Sequence, residues 1–454
     1  MKTITLVKDK SFYAKVIAIT LPVALQQAIN MGVNMLDTMM LGSFGEIQLS
    51  ASSLANQYYN FFTILCMGII GGSSVLSSQY WGAGNKEKVH ETFSMAFRLA
   101  TVVAVFFMVL TLCIPSRIMS IYTNEAAVIE QGVKYLKITA FIFFFHGTSL
   151  VYAQLMRSVG QPKLGLYVSI LSFMVNIVTN YIFIFGKFGA PRMEIAGAAL
   201  GTLFARLSEF LATFIYILFV DKKLGLRIRH LIKNPSTLFY KNYFRLGAPV
   251  LISDALLALG GNLVSIVLGH MGAVVVAANS ICMVVDRLCT VVIQGVSNAS
   301  GIITGNTIGQ GDKKKALEQG ETFYILSIIF GIISAILVYF FGPLTISVYS
   351  LTEETIIVTR QMMNAYVVIA FFSAIASVMT KGVLRGGGDT KFLMVADILF
   401  LFIVSVPLGA VGGLILGWPA WLTMLALRAD YAIKSAWCVS RLRSGKWIHE
   451  TTKA

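Results

Sequence analysis

The sequence predicts an all-α membrane protein of twelve transmembrane helices, arranged as two pseudo-symmetric six-helix lobes in parallel repeat. Three observations predict it. Charge is scarce and clustered between long apolar runs, bases recur in alternate loops, and one half of the chain repeats the other.

The 454 residues are 56% hydrophobic and only 13% charged, with a mean hydropathy of +0.76. Soluble chains carry about a quarter charged residues. The apolar runs exceed the ~20 residues that a helix needs to cross a bilayer. Lipid offers no partner to backbone N–H and C=O, so a span must be a helix or belong to a closed barrel. Barrel strands alternate in pieces of about ten residues, and these runs do not alternate.

In chain order the spans fall at 14–40, 50–80, 92–114, 133–157, 163–186, 195–220, 246–269, 274–307, 319–341, 357–384, 392–415 and 418–440. The basic start, Met1 to Lys15, leads into an apolar run too long for a signal-peptide core and followed by no small-residue cleavage site, so it reads as an uncleaved first span. Lys86 and Lys88 follow the second span, and Arg157 and Lys163 bracket the turn after the fourth. Lys222, Lys223, Arg227, Arg229, Lys233, Lys241 and Arg245 fill the loop after the sixth. Lys313 to Lys315 follow the eighth, Arg385 and Lys391 bracket the turn after the tenth, and Arg441, Arg443 and Lys446 close the chain. All lie on the side of Lys2, Lys8 and Lys10, whereas the opposite loops hold Glu46, Glu125, Glu130, Glu353 and Glu354. By the positive-inside rule both termini are cytoplasmic, as in a multi-pass protein of the cell membrane. The same alternation explains the formal charge of +15 without a nucleic-acid partner.

The repeat is explicit. PVALQQAINMGVNMLDTMMLGSFG (22–45) is matched 227 residues later by PVLISDALLALGGNLVSIVLGHMG (249–272). Gly68 then matches Gly295, and Gly82-Ala-Gly-Asn-Lys86 matches Gly309-Gln-Gly-Asp-Lys313. After one inserted residue, Arg157-Ser-Val-Gly-Gln-Pro-Lys163 matches Arg385-Gly-Gly-Gly-Asp-Thr-Lys391. Six spans per half is even, so both halves enter the membrane in the same sense, a transporter architecture with the substrate path between the repeats. The organisation expected is an N-terminal lobe at 1–220, a basic cytoplasmic linker at 221–245 and a C-terminal lobe with a short tail at 246–454. One chain holds both halves of the path, which suits a monomer.

Within these spans LDTMMLGSFG (36–45), QYWGAGNKEKV (79–89), GAALGT (197–202) and RGGGDTKF (385–392) resemble the multidrug and toxic compound extrusion (MATE) family, in order and spacing, over nearly the whole chain. The resemblance implies a V-shaped central cavity between the lobes. It also implies secondary active efflux of organic, mostly cationic, small molecules in exchange for H⁺ or Na⁺, with no further cofactor. No Walker A motif points to ATP, and no catalytic motif points to an enzyme. The alternative is a lipid-linked precursor flippase of the same superfamily, with a cationic cavity for phosphates; here the candidate groups are acidic and neutral.

An acid at bilayer depth costs at least ~2.5 kcal/mol on insertion scales and is a functional candidate by default. Asp37 lies fifteen residues beyond Pro22, about 22 Å at 1.5 Å per residue, in the outer half of span 1. It matches the family's span-1 aspartate, which couples cation binding to helix bending, and a Na⁺ ion would sit beside it. Asn176 and Asn180, four apart on span 5, share a face and match the family's polar cluster opposite that aspartate. Family members often carry a second aspartate where this chain has Asn180. Thr202 and Gln154 would complete the cluster. Asp254, in span 7, is a candidate for the cavity floor or a partner of a base such as Arg287. Tyr58, with its neighbouring aromatic residues, is a candidate face for organic cations. Pro22 removes one helix hydrogen bond and would serve as the hinge of span 1. Arg206 with Glu209, Asp286 with Arg287, and Arg428 with Asp430 read as self-neutralising pairs, Asp397 as an anchor. The five cysteines read as buried small hydrophobes, with no metal-ligand spacing.

Overall fold

Long apolar segments with intact internal hydrogen bonding become helices here, and no strand occurs among the described residues. The computed structural model describes residues 6–451 except 43–44, 233–234, 348 and 350. In order the helices are α1 (Lys10–Gly42), α2 (Glu46–Gly82), α3 (Lys86–Cys113), short α4 (Pro115–Ser120), α5 (Ala126–Thr139), α6 (Ile142–Ser158), α7 (Lys163–Phe185) and α8 (Glu194–Ile215). Short α9 (Ile228–Ile232) precedes α10 (Thr237–His270), α11 (Ala273–Cys289), α12 (Val291–Gly309), α13 (Lys313–Ile346) and α14 (Glu353–Ser377). The remainder are α15 (Thr390–Asp397), α16 (Val406–Ala410), α17 (Ala420–Leu427) and α18 (Ala429–Ser444), with π-helical stretches at Tyr216–Val220, Val378–Leu384, Ile398–Ser405 and Val411–Ile415.

Each expected span meets a helix or a bent pair. Among the described residues nine helices are long and apolar enough to cross a bilayer alone, and α5–α6 and α11–α12 qualify as pairs bent by 54° and 50°, giving eleven. The twelfth, α17–α18, breaks at Arg428 (φ −116°, ψ 15°) and carries Arg428, Asp430 and Lys434, which lower its hydropathy. Pro22 and Pro249 both lie inside unbroken helices.

By internal contact the chain gathers into two compact units. The first comprises Met1–Ala24, Ser74–Asn85 and Asn242–Ala454; the second comprises Leu25–Ser73 and Lys86–Lys241. Both α1 and α2 therefore contribute residues to each.

The second unit is built on an aromatic core. Tyr58, Phe62, Phe107 and Phe143 are buried together, with ring centroids 5.0 to 5.7 Å apart. Such offset and edge contacts add to area burial. Beside it α7 packs closely on α8, because Gly197 lies against the Phe183 backbone where a side chain would not fit.

Among the described residues of the first unit, one core lies around Phe12, Phe323, Met379 and Trp447 and another around Leu268, Cys282, Met362 and Tyr366. The tail returns along it: His449 N–H donates to the Gly387 carbonyl at 2.8 Å, and Thr451 donates to the Gln79 side chain from its N–H (2.9 Å) and its hydroxyl (2.7 Å). All five cysteines are free and four are buried; Cys113, at the end of α3, is exposed and departs from the expectation.

Candidate functional site

The site is assembled in the second unit from helices that the amphipathic pattern places side by side. Asn176 and Asn180, one turn apart on α7, are 2% and 0% exposed. The Asn180 Nδ2 donates to Asp37 Oδ1 at 2.6 Å and to Asn176 Oδ1 at 3.3 Å. A charge-assisted hydrogen bond of this length is among the strong ones. Room for it comes from Gly201 on α8, where a Cβ would collide with Asn180 Oδ1. Within the sequence motif GAALGT it is thus Gly201 that supplies the gap.

Two polar atoms of the cluster, Asn180 Oδ1 and Asn176 Nδ2, are buried without a hydrogen-bond partner among the described residues. A buried unpaired polar atom costs about 1–3 kcal/mol, and such atoms mark places where a polar guest is accommodated. The Asp37 carboxylate meets the Asn180 amide N–H, and the oxygens the cluster carries, on Asp37, Asn176 and Asn180, are of the kind that suits a hard cation or a proton. No cluster of three or more His, Cys, Asp or Glu able to hold a metal ion occurs among the described residues.

The other sequence candidates are placed as follows. Thr202 lies beside Gly201 and its hydroxyl donates to the Ala198 carbonyl at 2.9 Å. Gln154 is half-buried on α6. Tyr58 is buried in the aromatic core, its hydroxyl accepting from Thr111 at 3.4 Å. Asp254 belongs to the first unit, where Arg385, not Arg287, is its partner: Nη2 to Oδ1 is 2.9 Å and Nη1 to Oδ2 is 3.3 Å. The equivalent Arg157 donates to Gln26.

Sequence reasoning missed two buried groupings. Asp430 pairs with Lys434 at 3.0 Å instead of with Arg428, and Lys434 also reaches Asp397 at 2.7 Å; Ser253 donates to the same Asp397. The i, i+4 spacing of Asp430 and Lys434 was the available signal. In the second unit Arg206 and Glu209 form the expected pair at 2.8 Å, but His146 from α6 joins them, its Nδ1 3.5 Å from Glu209 Oε2. No local spacing links residue 146 to 209.

Comparison with known proteins gives consistent results. The MatE family profile matches residues 22–182 and 249–411, two windows that begin at the repeat-equivalent prolines. The "Probable multidrug resistance protein NorM" of Thermotoga maritima is 26% identical over 444 residues, covering 95% of this chain and 92% of that protein. Its namesake from Neisseria meningitidis is 26% identical over 339 residues, 73% of this chain and 72% of that one. Among solved structures, a MOP superfamily transporter from Pyrococcus furiosus superposes with a TM-score of 0.84 at 18% identity over 95% of this chain and 96% of that one. The Vibrio cholerae MATE transporter VcmN gives 0.85 at 15% identity over 97% and 99%. The fold is that of these transporters, in which twelve helices form two lobes.

Proposed function

The chain belongs to the MatE family, and from that premise we propose that it is a secondary active multidrug exporter. In this reading it moves organic, mostly cationic, small molecules out across the cell membrane in exchange for H⁺ or Na⁺ moving in. It acts as a transporter rather than an enzyme, with both termini cytoplasmic and as a monomer. The NorM relatives support efflux of drugs.

One observation carries the coupling part: Asp37, inside a membrane-spanning helix, is held by Asn180 at 2.6 Å beside two buried polar atoms without a hydrogen-bond partner among the described residues. An acid maintained there against the cost of burial has work to do in ion movement. Binding of the ion at Asp37 would change the preferred course of α1, with Pro22 as hinge, while lobes 1–220 and 246–454 move about the linker 221–245. A ligand shifts such an equilibrium only by its differential affinity for the two states. Asn176, Asn180 and Thr202 are assigned to the ion, and Gln154, Asp254 and Tyr58 to the substrate path with Asp37.

The test is efflux of ethidium from proteoliposomes under an imposed H⁺ or Na⁺ gradient, for wild type and Asp37→Asn. Efflux with one gradient, lost in the variant, is expected. No efflux with either gradient would favour a flippase of lipid-linked precursors instead.

A further inference from the structure

Arg157 and Arg385 occupy the same place in the two copies of the repeat, and their surroundings differ in one respect. Arg385 holds the Asp254 carboxylate through two nitrogens. Where the second copy has Ser253 and Asp254, the first has Gln26 and Gln27, so an amide stands in place of the acid. Arg157 is 2% exposed. Its Nη2 donates to Gln26 Oε1, whereas Nε and Nη1 are buried without a hydrogen-bond partner among the described residues. Gln26, 8% exposed on α1, reaches past Gly165 of α7, where a Cβ would lie 2.9 Å from its Oε1. Asp221, an acid of the linker, is committed elsewhere: it accepts from the Gln161 side chain and from the N–H groups of Lys223 and Leu224.

A buried carboxyl or amine can shed its charge by taking up or losing a proton, but a guanidinium cannot. An unpaired ion in the interior costs several kcal/mol. Arg157 lies in the last turn of α6, where the helix dipole favours a cation by about 0.3–1 kcal/mol, up to ~2 when partly buried. One neutral hydrogen bond and a helix end therefore leave much of the cost standing. An anion against Nε and Nη1 would offset it and supply both missing acceptors.

We propose that Arg157 anchors an anion-binding site where α1, α6 and α7 meet, and that its ligand is a small monovalent anion of the chloride class. A single negative charge balances the single guanidinium, whereas a phosphate dianion would overcompensate it. Lys163, Lys222 and Lys223, exposed on the flanking turn and linker, make the approach electropositive and favour entry of an anion. In the second copy of the repeat the chain carries its own anion, Asp254; in the first it takes one from solution.

The measurement is the thermal unfolding midpoint of the full chain in detergent as bulky gluconate is replaced by chloride at fixed pH and ionic strength. The wild-type midpoint is expected to rise by about 2 °C and then saturate, because a ligand held only by the folded state stabilises it by mass action. Arg157→Gln should lose the response. Should that variant not fold, Gln26→Glu decides. It puts a carboxylate on the atom that already meets Arg157, so its midpoint in gluconate should exceed that of wild type and chloride should add nothing. Chloride NMR line broadening on the same samples should be present in wild type and absent in Gln26→Glu. A wild-type midpoint indifferent to chloride would mean that water alone meets the two nitrogens and would overturn the proposal, as would a response that persists unchanged in Gln26→Glu. Neither readout involves transport, so this site and the exporter reading stand or fall separately.

Discussion

Gly82 and Gly309, the same position in the two copies of the repeat, each press against the other's helix. A Cβ on Gly82 would run into the Asn306 carbonyl of α12, and one on Gly309 into the Gln79 carbonyl of α2. Gln79 and Asn306 are themselves repeat equivalents, as are Ser78 and Gly305, which also meet. Backbone cannot retreat as a flexible side chain can, so added volume must separate the helices. Gly309→Ala and Gly82→Ala are each expected to cost about 1–3 kcal/mol, as overpacking does. A drop in the thermal unfolding midpoint in detergent, with Gly311→Ala changing stability by a different route because its φ is +84°, would check this.

Asn180 holds the Asp37 carboxylate, and Asn180→Ala removes the donor while leaving Gly201 room to spare. A hydrogen bond to a charged group is worth about 1.5–3 kcal/mol, so ion-driven ethidium efflux should fall roughly tenfold or more with little change in folding. Initial rates in proteoliposomes at matched protein content decide it.

The Arg385–Asp254 pair is mostly buried, with side chains 16% and 15% exposed. Removing one partner of such a pair leaves an uncompensated charge and costs about 3–5 kcal/mol, whereas replacing both with apolar residues is often near neutral. Asp254→Leu should therefore lower stability sharply, and Asp254→Leu with Arg385→Met should recover most of it. A double-mutant cycle on the unfolding midpoint reads the difference, and an uncoupled result would assign Asp254 to the substrate path alone.

Asp389 lies in the turn between the tenth and eleventh spans. Burial alone would raise its carboxyl, but hydrogen bonds from His449 and Arg441, the latter at 2.7 Å, hold it below the ordinary value of 3.8. A carboxyl lowered on folding stabilises the protein above its unfolded value, and the contribution disappears as pH falls through the lower folded value. The stability gap between wild type and Asp389→Asn should be constant near neutrality and close only below pH 3.8. An acid series of unfolding midpoints tests the sign.

Much of the fold was legible in the sequence, and the limits have physical causes. Helical spans follow from lipid's refusal to hydrogen-bond the backbone, so α1 to α3 and α13 could be placed with ends within about six residues of those observed. The last span was legible only as hydropathy, and its break at Arg428 was not, because a helix break depends on which neighbours receive the freed groups. At the site, Asp37, Asn176 and Asn180 stood out as polar groups at bilayer depth. Their convergence depended on Gly201, a residue whose contribution is an absence of atoms.

By itself the amino-acid sequence determined the class, the repeat and the polar residues that must be explained, since each follows from local composition and spacing along one chain. Partners were decided by tertiary structure alone. Arg385 rather than Arg287 for Asp254, Lys434 rather than Arg428 for Asp430, and His146 for Glu209 are contacts between distant segments. A buried charge takes whichever opposite charge the packing brings within reach, and packing is settled by the shapes of whole helices, not by neighbours in sequence.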